Sequence, residues 1–176
     1  MPSYAMDQLK AKIRNIPDFP KPGILFYDIT TLLRDGEGFG QAIDALASPF
    51  KGRSIDAVVG MESRGFIFGA AVADRLGTGF VPVRKPGKLP AKTVKASYDL
   101  EYGSDCLEMH CDAVETGTRV LVVDDLLATG GTAKATVALL RGQGADVVGV
   151  SFLIELVELK GRARLTGENV SAVLQY

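Results

Sequence analysis

Apolar residues recur at two different spacings along this chain, and the changes between them mark out its elements. Leu9, Ile13 and Ile16 fall at helical spacing, which predicts an amphipathic helix stopped by Pro17. Phe19 to Gly23 (FPKPG) reads as an irregular connector, because its prolines and glycine break both periods. Phe39, Ile43 and Leu46 mark a second helix, ended near Ser48-Pro49. An alternation of short apolar runs and helical stretches follows. IDAVVGM (55–61) and GFVPVRK (79–85) read as strands, with a small-residue helix from Gly65 to Leu76, stopped by Gly77, between them. RVLVVDD (119–125) is the most apolar strand, Gly131 to Arg141 the next helix, and VVGVSFLIEL (147–156) the next strand. Strand-helix-strand units of this length predict an α/β fold with a parallel sheet covered on both faces. Pro86 to Thr93, with Gly87, Lys88 and Pro90, reads as a mobile loop. Ser97 to Tyr102 and Cys106 to His110 alternate like two antiparallel strands joined around Gly103, an insertion in the rhythm.

The 176 residues show no repeat, low-complexity tract or linker, so one domain, 1–176, is expected. At 47% hydrophobic and 23% charged residues, the chain has the balance of a soluble globular protein with a full core. Twenty Lys and Arg face 21 Asp and Glu, which argues against a protein that coats nucleic acid. Cys106 and Cys111, five apart in one apparent strand, face opposite ways and lack metal spacing. Lone thiols suggest a reducing compartment. The N-terminus has no apolar signal region and no run reaches membrane-spanning length, so a cytoplasmic protein is expected.

Candidate chemistry concentrates in VLVVDDLLATGGTAKA, residues 120–135. A buried strand delivers two adjacent carboxylates, Asp124 and Asp125, to its C-terminal end, where ligands bind in open α/β sheets. Ala128, Thr129, Gly130, Gly131 and Thr132 follow and open a helix. Glycines permit close backbone approach, and a helix N-terminus adds its N–H groups, so the loop is a phosphate cradle. Rival phosphate motifs fail: no Lys follows Gly131, Phe66 stands where a Walker Lys would, and Val147 replaces the third glycine after Gly142 and Gly144. An acid pair ahead of a phosphate loop suits a ligand with a phosphate at one end and sugar hydroxyls near it. Carboxylates accept hydrogen bonds from such hydroxyls, or hold Mg²⁺ indirectly.

This stretch resembles the binding motif for phosphoribosyl pyrophosphate (PRPP) in type I phosphoribosyltransferases. PDFPKPGILFYDIT (17–30), ESRGFIFG (62–69), VRKPGKLP (83–90), ASYDLEYG (96–103), IELVELKGR (154–162) and the terminal VLQY resemble the adenine phosphoribosyltransferase family. The resemblance implies a type I phosphoribosyltransferase-like fold: a parallel sheet with flanking helices, an antiparallel flexible hood at about 86–111, and a base-side N-terminal segment, 1–33. It implies the purine-salvage reaction adenine + PRPP ⇌ AMP + pyrophosphate, with Mg²⁺ held by PRPP and water rather than directly by the protein, in a homodimer. It assigns the 5-phosphate to Ala128–Thr132 and the ribose hydroxyls to Asp124 and Asp125. Glu62, Ser63, Arg64 and Gly65 resemble the pyrophosphate loop, whose first peptide can be cis in relatives. Arg84, Lys85 and Lys88 resemble the basic residues around the pyrophosphate, Arg84 reaching it from a dimer partner. Among these, Arg64 and Lys85 are the candidates for catalysis at the leaving group. Leu25, Phe26 and Tyr27 are assigned to the base, with Phe26 and Leu156 on either side of the ring. Glu101 and Tyr102 resemble the hood's acidic residue and its aromatic neighbour, with Glu101 as acid-base group or as a latch for the hood. Tyr27 departs from the family, where many members carry Arg, and Glu62 stands where Asp is also common.

Plainer readings exist for the same residues. Phe26 and Leu156 are apolar enough to be core. His110, the only histidine, has no nucleophile motif beside it and reads as structural or exposed. Two rival functions differ in what they demand. A phosphoribosyltransferase for another base, a 6-oxopurine or orotate, would share the PRPP site. A PRPP-sensing regulator would add a DNA-binding domain or a basic face, and here a short N-terminal helix and balanced charge stand instead.

Overall fold

The computed structural model describes residues 3–99 and 104–176. The chain divides into two compact units, Met1–Ala45 and Leu46–Tyr176.

The first unit begins with helix α1 (Ser3–Ala11), followed by an antiparallel pair, β1 (Arg14–Pro17) and β2 (Leu25–Asp28). The helix expected to continue through Ile13 and Ile16 therefore stops at Ala11. Ile16 precedes Pro17 and is sterically pushed from the α region toward extended backbone, where it pairs with Phe26. Arg14 stands opposite Asp28 and donates from Nε at 3.0 Å, an opposite-charge pair that rewards this register. The FPKPG connector turns through a cis Phe19–Pro20 bond and Gly23 at φ +85°, whose amide donates to Asp18 Oδ1 at 2.7 Å. Helices α2 (Thr30–Arg34) and α3 (Gly36–Ala47) complete this part of the chain. The predicted Phe39-Ile43-Leu46 helix is α3, and Pro49 lies in a single 3₁₀ turn just past its end.

The second unit is built on a parallel five-stranded sheet in the order β4-β3-β7-β8-β9. Its strands are β3 (Ala57–Met61), β4 (Gly79–Val83), β7 (Arg119–Leu127), β8 (Asp146–Glu155) and β9 (Val170–Gln175). Helix α4 (Gly65–Leu76) connects β3 to β4, and α5 (Gly131–Gly142) connects β7 to β8. The first crossover steps outward from β3 and the second steps the opposite way from β7. Since such crossovers are right-handed, the two helices cover opposite faces. The burial agrees. Val59, Val120 and Val122 cluster with Leu140 of α5, whereas the buried Phe68 and Val72 of α4 stand outside that cluster. All five residues of β3 are buried, as a strand covered on both faces requires. Helix α4 ends at Gly77 in the left-handed region, φ +69°, as its sequence predicts.

A hairpin, β5 (Thr93–Asp99) with β6 (Ser104–His110), departs from the parallel rhythm as expected. It begins four residues earlier than the Ser97 start read from sequence, because Val94 and Ala96 alternate with exposed Lys95 and Ser97. Among the described residues no helix is long and apolar enough to cross a membrane.

Candidate active site

The strand order reverses between β3 and β7. Each sends its helix away from the other, so a crevice opens where their carboxyl ends lie side by side. Pairing between the two strands ends at Gly60 with Val123. Beyond it, β7 runs on to Leu127 beside β8 alone, two residues further than the sequence suggested. Asp124 and Asp125 therefore flank the turn Glu62–Arg64 that leaves β3.

Arg64 Nε lies 2.8 Å from Asp125 Oδ2, tying that turn to the end of β7. Gly65 makes the approach possible: a Cβ there would meet Asp124 Oδ1 at 2.6 Å. Asp124 Oδ1 also accepts the Asp125 amide at 2.9 Å. Burial pushes the Asp124 carboxyl well above the usual range, and the neighbouring Asp125 charge pushes it the same way. Burial raises Asp125 too, against the pull of Arg64. The Glu62–Ser63 peptide is cis.

After Leu127 the chain wraps a cavity of about 80 Å³ lined by Asp124 and residues 126–133. Gly130, at φ +81°, sits at the N-terminus of the twelve-residue α5 and lets the loop turn back on itself. A Cβ on Gly130 would strike the Gly161 carbonyl oxygen, and one on Gly161 would strike the Ala128 carbonyl oxygen. The loop is thus backed by bare backbone from the segment after β8. Amide groups, the positive end of the α5 dipole and the Thr129 and Thr132 hydroxyls surround a space suited to a tetrahedral oxyanion. Leu156 joins the same neighbourhood, its amide donating to the Leu127 carbonyl at 2.9 Å.

The basic residues sit on a turn after β4. Arg84 Nε donates to Glu62 Oε2 at 3.0 Å, and the Lys85 amide donates to the same oxygen at 3.1 Å. Arg84 also reaches the Lys88 carbonyl at 3.1 Å and lies over the Phe66 ring, 5.8 Å from its centroid. Burial pushes Glu62 up, but the Lys85 amide, Arg84 and Lys88 together hold its carboxyl below the ordinary value. Lys85 and Lys88 are exposed, and so is Ser63. The expected sites Glu101 and Tyr102 lie outside the described residues. In the first unit, Leu25 is 44% exposed, and Phe26 and Tyr27 are half-buried, with Phe26 packed edge-on against Phe19 at 5.1 Å between centroids. One glycine escaped the sequence reading of the site, Gly161, although it is the only glycine of IELVELKGR, which was the available signal.

Residues 30–166 match the phosphoribosyl transferase domain family. Over 174 residues, 99% of this chain and 96% of the relative, the sequence is 60% identical to adenine phosphoribosyltransferase of Acidobacterium capsulatum. The chain belongs to the adenine phosphoribosyltransferase family. The crystal structure of that family's member from Rhodothermus marinus is 54% identical and superposes with a TM-score of 0.94, covering 99% of both chains. The Saccharomyces cerevisiae member is 42% identical, with a TM-score of 0.91 over 97% of this chain and 99% of its own. It was crystallised with D-2,5-dideoxy-2,5-imino-altritol 1,6-bisphosphate and adenine. The strand-order reversal, the acid pair and the glycine cradle thus lie in a fold of type I phosphoribosyltransferases.

Proposed function

We propose that the chain transfers ribose 5-phosphate from PRPP to N9 of adenine, giving AMP and pyrophosphate. The observation that carries this reading is the acid pair beside the Gly130 cradle at the strand-order reversal, in a chain so close to named adenine phosphoribosyltransferases. The bisphosphate and adenine in the yeast structure support the same pair of substrates.

The 5-phosphate rests on Ala128, Thr129, Gly130, Gly131 and Thr132, and Asp124 and Asp125 accept from the ribose hydroxyls. Arg64, Lys85 and Lys88, around Glu62 and Ser63, receive the pyrophosphate, and Arg84 reaches it from the partner in the homodimer. As the C1–O bond breaks, pyrophosphate keeps the electron pair and gathers charge, which the cations stabilise, while the ribose becomes oxocarbenium-like. N9 then bonds to C1 and the adenine releases a proton, a step assigned by the family resemblance to Glu101, as acid-base group or as a latch for the hood. By the family resemblance, Leu25, Phe26 and Tyr27 are assigned to the base, as is Leu156, and Tyr102 is the aromatic neighbour of Glu101 in the family's pattern.

Among the described residues no three acidic, histidine or cysteine side chains gather as a metal cage. The donor set fits Mg²⁺ that arrives on PRPP's own oxygens with its waters and meets Asp124 and Asp125 at most; it would supply neutralisation of the pyrophosphate charge. A cytoplasmic homodimer is the assembly this reading favours. AMP formation from adenine and PRPP, with and without Mg²⁺, tests it: no Mg²⁺-dependent AMP would overturn it.

A further inference from the structure

Strand β6 carries a buried carboxylate that the transfer chemistry leaves unused. Glu108 is 3% exposed, yet two separate groups reach it. Lys95, opposite on β5, places Nζ 2.7 Å from Oε1, and the Gly87 amide donates to Oε2 at 3.2 Å. The Glu108 backbone also exchanges two hydrogen bonds with Arg84, at 2.9 and 2.7 Å. Two residues on, the same face of the strand presents His110, whose Nε2 accepts the Ala91 amide at 3.4 Å. The Cys111 amide then donates to the Lys92 carbonyl at 3.0 Å. The segment from Arg84 to Lys92 is thus stitched along β6 at four points, while Glu62 holds its start from the other side.

A cross-strand partner for Lys95 needs no second contact, and a carboxylate is costly to bury unless its oxygens are satisfied. The second oxygen of Glu108 is spent on the one turn that carries Lys85 and Lys88. Long lysine side chains lose much rotamer freedom on binding, so fixing the backbone beneath them lowers what the ligand must order. We propose that Glu108 is a positioning residue, holding the Gly87 turn in the geometry that lets Lys85 and Lys88 receive the pyrophosphate half of PRPP. The inference rests on the function proposed above.

Steady-state kinetics and amide exchange on the full chain test it. Glu108→Gln keeps the shape but turns one acceptor into a donor and removes the charge. The KM for PRPP is expected to rise about tenfold, as for a reacting group displaced by a fraction of an ångström. The KM for adenine and the Kd for AMP, which lacks pyrophosphate, stay near the wild-type values, and exchange at the Gly87 amide accelerates. Glu108→Asp, one methylene short, gives an intermediate PRPP effect and serves alone if the Gln variant does not fold. An unchanged PRPP KM, or equal losses for PRPP and AMP, would show a merely structural residue and overturn the proposal. Failure of the wild-type chain to make AMP would instead sink the function itself, so the two failures are distinct.

Discussion

Adjacent in sequence, Asp124 and Asp125 differ in what surrounds them. Asp125 has a cation, Arg64, at hydrogen-bond distance, whereas Asp124 meets a backbone amide and its neighbour's charge. The protonated form of Asp124 persists above the usual carboxyl range, so Asp124→Asn imitates a form the fold already tolerates. Asp125→Asn removes the anion that faces Arg64 and is expected to lower kcat/KM for PRPP by about 100-fold, roughly 2.7 kcal/mol of transition-state stabilisation. Its circular dichroism should match the wild type; wild-type kinetics would remove Asp125 from the site. Gly130→Ala tests the cradle in another way. The residue sits at φ +81° and its new methyl would collide with a carbonyl of bare backbone, which cannot rotate aside. AMP affinity by calorimetry should fall at least about tenfold, and normal affinity would place the phosphate elsewhere. The close backbone approach at Gly130 was legible in sequence, because paired glycines in a loop that opens a helix permit it. The role of Gly161 was not, since its contact is with a carbonyl 33 positions away that no local pattern announces.

The elements that followed a clean period were read correctly: β3, α4, β7 and α5 differ from expectation by two residues or fewer at each end. Those that failed are short or mixed. Ile13 and Ile16 fit a helical stripe, yet residues 14 to 17 form a four-residue strand, and the proline at 17 together with the tertiary pairing with β2 decides between them. Strand β9 lies at the sheet edge with three half-buried residues, and so lacks the continuous apolar run that marks β7. The β1–β2 pair carries a consequence for acid stability. Asp28 is held at about 2 by the Thr30 amide first and by Arg14 and the Thr30 hydroxyl beside it. Its folded value lies below its unfolded value near 3.8, so its contribution is present above that pH and is lost as pH falls toward 2. Thermal melts of the wild type and Asp28→Asn should therefore differ most above pH 4 and converge near pH 2. A constant difference across that range would refute the assignment. Comparing the two proteins cancels the similar loss from Asp56, which is also held at about 2, chiefly by Arg119.

At the scale of the molecule, the fold was legible because alternating strands and helices leave few topologies once crossovers must be right-handed. The strand order itself was not, since period and length say nothing about which strand lies beside which. The base preference belongs to this scale too, because substrate choice tests the proposed reaction as a whole. Adenine offers an amino donor at position 6 where hypoxanthine and guanine offer an oxo acceptor. A site built to accept from that amino group leaves acceptor facing acceptor with the wrong base, and about 10⁴-fold discrimination in kcat/KM is expected. Comparable turnover of hypoxanthine would move the chain to another branch of its family. The reversal of strand order has one more effect. The Glu62–Arg64 turn and the Gly130 loop come from neighbouring strands whose ends are joined elsewhere by Asp56 and Arg119, 63 positions apart. During synthesis, the first half of the proposed PRPP site waits, incomplete, until β7 has emerged and docked. A chain stopped before Arg119 lacks the loop proposed for the 5-phosphate, so AMP binding would report that the ribosome has delivered β7 and the segments that back its loop. The same ligands would then hold the finished protein folded by mass action, each decade of excess over Kd adding about 1.4 kcal/mol.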